Sequence, residues 1–129
     1  MPWVRIEDSF HVNPKIVGLS LEAVGLYALA LSYCAQQLTD GHVPGGWAKT
    51  HGGSRAKRVI SELLEPRPPS MRALWVAEGR DYVIPDYLEF QPAREQVLRE
   101  RSEISAKRAE AGRRGAQARW GKDNRIATH

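Results

Sequence analysis

The sequence predicts an α+β fold that is mainly helical, in which a compact N-terminal domain is followed by a long C-terminal helix and a flexible basic tail. Three features predict it: an almost wholly apolar helical pattern over residues 21–38, a β-hairpin pattern over residues 74–84, and a change to charged composition at Gln91. The predicted boundaries are 1–90 for the domain, 91–111 for the linker helix and 112–129 for the tail.

The first half of the domain is predicted to contain two helices and a short extended segment. Asn13 is suited to cap a short helix that has Pro14 at its first position. Ser20 is a suitable N-cap for the long helix, and because that helix has hardly any polar face we expect it to be central and buried. Turn residues 39–41 end it, and residues 42–44 are predicted to be extended.

Most of the large aromatic residues and the single cysteine are predicted to lie in the core. Residues 3–6 alternate in the pattern of a short strand. Cys34 lies within the apolar helix, so we expect a small buried side chain and no internal disulfide. The aromatic residues expected in the core are Trp3, Phe10, Tyr27, Trp47, Trp75 and Tyr82.

The second half of the domain is predicted to contain short helices and a hairpin. A single helical turn over residues 47–50 is followed by Ser54, which is expected to cap a helix over residues 55–64. Apolar residues follow helical spacing on one face of that helix, and the prolines after it end it. The basic residues of its first turn and a half are Arg55, Lys57 and Arg58.

A hairpin and a long polar helix complete the predicted elements. Strands over residues 74–77 and 82–84 are predicted to be joined by a four-residue connection that contains glycine. A long helix is predicted to begin at Gln91 and to end near Ala111, where two glycines interrupt the pattern, and disorder is expected beyond Trp120.

This order of elements is that of a winged helix-turn-helix, with residues 55–64 as the recognition helix and residues 74–84 as the wing. A recognition helix must present a basic face to the major groove and an apolar face to the core. The DNA-binding residues predicted in the domain are Lys49, Ser54, Arg55, Lys57, Arg58 and, at the hairpin tip, Arg80. A solvent-exposed helix has the same pattern, and many winged helices bind proteins, so both interpretations stay open.

The positive charge is concentrated at the C-terminal end of the chain. Residues 94–106 carry 3 basic and 3 acidic side chains, whereas residues 107–129 carry 7 basic and 2 acidic ones. Arginine suits phosphate and narrow minor grooves, and a tryptophan can stack on an exposed base. The residues predicted to bind nucleic acid here are Lys107, Arg108, Arg113, Arg114, Arg119, Trp120 and Lys122. A solvated charged helix with a flexible end, and a hydrophobic anchor at Trp120, are the alternatives.

The residue pattern does not favour catalysis. The four histidines stand in no arrangement with metal-ligand spacing, the glycine pairs lack the ending of a phosphate-binding loop, and no nucleophile–base grouping is visible. We therefore expect a non-enzymatic protein with no catalytic residue, no metal and no cofactor. The N-terminus lacks the features of a signal peptide and no membrane span is predicted, so the expected location is the cytoplasm.

The sequence resembles a family of actinobacterial phage and prophage proteins whose N-terminal regions are similar to replisome-organiser or replication-initiation winged-helix domains. The stretches that carry the resemblance are WVRIEDSF at 3–10, NPKI at 13–16, LTDGHVP at 38–44, YVIPDYLEFQPAREQV at 82–97 and EAGRRGAQARW at 110–120. The resemblance implies a role in handling DNA.

The expected function is therefore DNA binding in replication initiation of a phage or prophage. Double-stranded DNA is the predicted partner, with host or phage replication proteins as further candidates and a homodimer left open. Two alternatives remain: a transcriptional or excision regulator on the same fold, and an adaptor that binds proteins through the winged helix. No membrane partner is expected.

Overall fold

The computed structural model of the chain describes residues 3–66, 68 and 71–127, with side chains up to Arg119. The chain divides into two compact units, Met1–Arg94 and Glu95–His129. The first unit is α+β and mainly helical, and the second consists of the greater part of one long helix.

Two capped helices form the first part of the N-terminal unit. After a 3₁₀ turn at Phe10–Val12, helix α1 comprises Pro14–Val17, and the Asn13 side chain accepts a hydrogen bond from the Lys15 backbone N–H at its start. Helix α2 comprises Leu21–Gln37, and the Ser20 side chain accepts from the Ala23 backbone N–H. Both predicted caps are confirmed, because the orphan N–H groups of a helix start find a side-chain acceptor within two or three residues.

A short strand and two further helices follow. Strand β1 comprises His42–Val43, helix α3 comprises Gly45–Gly52, and helix α4 comprises Ala56–Leu64. The 3₁₀ turn Gly53–Arg55 joins the two helices, and α4 begins after Arg55 without a side-chain cap. The prediction that Ser54 caps α4 is therefore wrong: the tight turn moves the helix start two residues beyond Ser54.

A three-stranded antiparallel sheet completes the fold of this unit. Strands β2 (Val76–Glu78) and β3 (Asp81–Val83) form the hairpin, and β3 lies between β2 and β1. His42 is paired with Val83. Glu78 and Asp81 are also paired, so the connection has two residues and not the four predicted. Gly79 has a φ of 60° and takes the first place of the turn, as a type II′ turn requires.

The C-terminal helix is longer than the sequence predicts. After the short helix α5 (Tyr87–Phe90), helix α6 comprises Arg94–Ala127 without a break. The predicted end of the helix at Ala111 is wrong, because the helix continues over residues 112–127. Each glycine costs a helix about 1 kcal/mol relative to alanine, and the alanine, arginine and glutamine residues around Gly112 and Gly115 are strong helix formers.

The hydrophobic core lies between α2, α4 and the sheet. Trp75, Leu63 and Cys34 are fully buried in it, and burial raises the pKa of the Cys34 thiol. Tyr27 is also buried, while Phe10, Trp47 and Tyr82 are half-buried against the core. Trp3 is 72% exposed, so the prediction of a core position for it is wrong.

The N-terminal segment is held by a side chain and not by a strand. Gln91 is buried, its Oε1 accepts from the Arg5 backbone N–H at 3.0 Å, and its Nε2 donates to the Arg5 carbonyl at 2.6 Å. The glutamine amide thus satisfies both backbone groups that a neighbouring strand would pair. Residues 3–6 form no strand, so the predicted strand is wrong.

Helices α2 and α4 are joined by a polar contact at the N-terminus of α2. Glu62 of α4 accepts hydrogen bonds from the backbone N–H of Ser20 at 3.1 Å and from its hydroxyl at 2.7 Å. A glutamate on another helix therefore completes the capping arrangement that is usually made within one helix.

We expect Glu62→Ala to lower the free energy of unfolding by about 1–3 kcal/mol, because the partly buried Ser20 N–H and hydroxyl lose their acceptor. Urea unfolding followed by circular dichroism measures the change. Ser61→Ala is the matched control, since this exposed hydroxyl donates only to the Lys57 carbonyl of its own helix. Equal losses in the two variants would contradict the assigned role of Glu62.

Candidate nucleic-acid interface

A shallow groove crosses the surface where α3, α4 and β3 meet. It encloses about 450 Å³ and is lined by the end of α3, one face of α4 and Tyr82 of β3. Lys49 of α3 and Lys57 of α4 line it, together with Ser61. No carboxylate is found among the described residues of the lining, so the groove is positively charged.

The amphipathic character of α4 leaves its basic residues exposed, and one of them, Lys57, lines the groove. Val59, Ile60 and Leu63 are buried, and helical spacing places Lys57, Arg58 and Ser61 on the opposite, exposed side. The structure therefore brings two of the predicted DNA-binding residues, Lys49 and Lys57, to the groove, and it leaves Arg58 exposed on the same helix outside the groove's lining. Ser61 was not predicted, although its spacing of four residues from Lys57 is a signal that was present in the sequence.

Arg55 is turned toward α2. Its Nη1 donates to Glu22 Oε1 at 2.6 Å, which pairs the charge with a carboxylate 33 residues earlier in the chain. Arg55 and Ser54 both belong to the turn before α4, and both are exposed. The predicted place of Arg55 on the recognition helix is therefore wrong, and its role in DNA binding stays a prediction.

Asp81 links the hairpin to the start of α3. Its Oδ1 accepts from the Gly45 backbone N–H at 2.8 Å, and its Oδ2 lies 3.0 Å from Nε2 of His42. The hydrogen bond from Gly45 is the largest cause that lowers the pKa of the Asp81 carboxyl below its ordinary value of 3.8, and the contact with His42 lowers it further. A carboxylate is favoured there because the N-terminus of a helix carries partial positive charge.

The hairpin turn also approaches the backbone of α3 very closely. A Cβ atom added at Gly45 would lie 2.0 Å from the carbonyl oxygen of Arg80. This approach fixes the hairpin tip beside α3, with the Arg80 side chain exposed. The structural roles of Gly45 and Asp81 were not predicted, since the sequence indicates only a glycine turn and a hairpin acid.

The link between Asp81 and α3 predicts a pH-dependent stability. Because the pKa of Asp81 is lowered by folding, its stabilisation is present above the ordinary value of 3.8 and is lost as pH falls through the folded value. We expect the difference in unfolding free energy between the wild type and Asp81→Asn to be larger at about pH 7 than at about pH 3. Urea titrations of both proteins measure it, and an equal difference at the two pH values would contradict the assignment.

The predicted residues of the C-terminal segment lie around the whole circumference of α6. Arg114 donates to Glu110 at 2.6 Å, so its charge is paired within the helix. The other predicted cations with described side chains are exposed, and they are Lys107, Arg108, Arg113 and Arg119. Trp120 and Lys122 belong to the same helix, and their side chains lie outside the described residues.

No protein-family profile, curated protein or solved structure matches the chain. Over residues 3–66, 68 and 71–127, no helix is both long enough and apolar enough to cross a membrane. Within the same part of the chain, no group of three His, Cys, Asp or Glu residues is placed to hold a metal ion. The fold defines a mainly helical α+β domain with a small antiparallel sheet, followed by a unit built on one long helix.

Proposed function

We propose that the chain is a non-enzymatic DNA-binding protein whose N-terminal unit is a winged helix-turn-helix domain. In this proposal α3 and α4 are the two helices of the helix-turn-helix, and the hairpin of β2 and β3 is the wing. The three-residue connection Gly53–Arg55 has the length and the glycine that this motif commonly uses.

The observation that carries the proposal is the positively charged groove beside the second helix of this motif. Lys49 and Lys57 line the groove, Arg58 is exposed on the same helix, and the groove's described lining contains no carboxylate. The major groove of DNA is about 12 Å wide and admits an α-helix, whose exposed side chains then reach base edges and phosphates. In this proposal α4 enters the major groove and Arg80 contacts a neighbouring phosphate.

Titration of a fluorescent duplex by anisotropy at about 50 and about 200 mM salt tests the proposal. Affinity must fall with salt, since cations that neutralise phosphates release the counterions of the duplex. Absence of binding to any duplex at low salt would overturn the function.

The role in replication initiation of a phage or prophage rests on the sequence resemblance. A replication organiser is expected to bind repeated sites at an origin, whereas a transcriptional or excision regulator binds one short operator, palindromic if the protein dimerises. Sequencing of genomic fragments bound by the full chain separates these two functions.

A protein-binding adaptor is the second candidate, and exposed apolar side chains favour it. Val12 is 60% exposed, Val17 is 65% exposed, and both line an open groove on the surface of the N-terminal unit. Leu21, which follows at the start of α2, is 89% exposed. Biological activity that survives charge reversal of Lys57 and Arg58 would favour the adaptor over the DNA-binding function.

A further inference from the structure

The continuity of α6 gives its charges a fixed arrangement that a flexible tail does not have. At about 100° per residue, Arg101, Arg108 and Arg119 project within about 20° of one another around the helix axis. Glu103 and Glu110 project about 140–180° away from them. The helix is therefore basic on one side and mixed in charge on the other.

The arginines of the opposite side have carboxylates close to them. Arg114 is paired with Glu110, Arg113 also follows Glu110 at three residues, and Arg99 follows Glu95 at four residues. Residues at these spacings are neighbours on a helix surface. Arg101 and Arg108 have no acidic residue three or four positions away on either side, so their charge is left for an external anion, whereas Arg119 is followed by Asp123 at four residues.

Small residues occupy the basic side of α6 between Arg108 and Arg119. Gly112 and Gly115 lie there, no atom comes within 4 Å of a Cβ added at either position, and Ala116 follows. Residues 101–119 of α6 span five turns, or about 27 Å, at 1.5 Å per residue. The backbone of α6 is accordingly open to close approach at Gly112 and Gly115 on this positively charged side.

We propose that this edge of α6, formed by Arg101, Arg108 and Arg119, binds the phosphate backbone of duplex DNA as a second contact surface of the protein. The choice of DNA rests on the function proposed above. A stiff row of cations matches the stiff, regularly charged duplex, and the glycines allow a phosphate to approach the helix backbone. A membrane-surface helix needs a broad apolar face, and Ile104 is the one large apolar side chain beside the edge between Arg101 and Arg119.

The proposal changes the set of residues expected to bind DNA in this segment. Arg101, which precedes the stretch of excess positive charge, becomes a contact residue. Arg113 and Arg114, the adjacent pair that the sequence pattern emphasises, do not, because they project from the other side of the helix.

A charge-matched pair of triple variants of the full chain tests the proposal. One variant replaces Arg101, Arg108 and Arg119 with Gln, and the control replaces Arg99, Arg113 and Arg114 with Gln. The first is expected to reduce the slope of log affinity against log salt by about 2.7, or about 40-fold in affinity over a fourfold change in salt. The control is expected to leave the slope nearly unchanged, and circular dichroism verifies that both proteins keep the helical content of the wild type.

An equal decrease of the salt slope in the two variants would overturn the proposal. It would show that binding depends on the number of cations on α6 and not on the side of the helix from which they project. No loss in either variant, with wild-type binding intact, would overturn the role of α6 while the function proposed for the N-terminal unit stands. Absence of wild-type binding would instead overturn that function. Binding of phosphatidylglycerol–phosphatidylcholine vesicles that depends on Arg101, Arg108 and Arg119, without such dependence for the duplex, would also contradict the proposal.

Discussion

Replacing Gly45 with alanine is expected to destabilise the N-terminal unit by about 3 kcal/mol or more. The added Cβ would lie 2.0 Å from the carbonyl oxygen of Arg80, which is a backbone atom and cannot rotate away. This clash is relieved only if the hairpin turn moves away from the start of α3. Such a movement also breaks the hydrogen bond from the Gly45 N–H to Asp81. Urea unfolding followed by tryptophan fluorescence measures the loss.

The neighbouring glycine provides a matched control for this substitution. Gly46 lies on the same helix, is exposed, and has no atom within 4 Å of an added Cβ. Gly46→Ala is expected to be neutral or to stabilise the protein by about 0.4–1 kcal/mol, because alanine restricts the unfolded chain. Similar behaviour of Gly45→Ala and Gly46→Ala would contradict the close approach of the hairpin to α3.

Replacing Lys49, Lys57 and Arg58 together with Gln is expected to remove most of the DNA binding by the N-terminal unit. The salt slope of log affinity is expected to fall by about 2.7, and affinity at about 100 mM salt by at least about tenfold, as three cations lose their phosphate or base partners. All three side chains are exposed, so the free energy of unfolding should change by less than about 0.5 kcal/mol. Fluorescence anisotropy with one duplex measures the affinity and its salt slope.

Arg55→Gln is the control for this variant, since sequence pattern alone groups Arg55 with these cations. Its guanidinium is paired with Glu22, and both side chains are largely exposed. The substitution is expected to cost less than about 1 kcal/mol of stability and to change DNA binding little. A loss in Arg55→Gln as large as that of the triple variant would show that Arg55 leaves Glu22 to contact DNA, contrary to the assignment.

The parts of the fold that sequence pattern predicts are those decided by neighbouring residues. Local hydrogen bonding decides the caps at Asn13 and Ser20, and apolar periodicity decides the buried position of α2. Helix α4 ends before the prolines because a proline ring cannot continue a helix. The hairpin was predicted for the same reason, with a connection that proved two residues shorter. Local rules failed at Gly112 and Gly115, where helix-forming neighbours outweigh the cost of glycine.

The features that sequence pattern misses depend on partners far apart in the chain. Arg55 is paired with Glu22, Glu62 completes the cap of Ser20, and the Gln91 side chain forms hydrogen bonds with the backbone of Arg5. None of these contacts has a spacing signal, because tertiary packing alone brings the partners together. Sequence pattern predicted Lys49 and Lys57 as DNA-binding residues but not the groove, which the structure forms from α3, α4 and β3.

The most direct measurement for the proposed DNA-binding surface is site-specific photocrosslinking to a bound duplex. A photoreactive amino acid in place of Ser61 lies in the groove beside Lys57, and one in place of Gln36 lies on the exposed side of α2. We expect the duplex to be crosslinked from position 61 and not from position 36, at a salt concentration where the wild type is bound. Crosslinking from position 36 with none from position 61 would contradict the assignment of α4 and its groove as the surface that binds DNA.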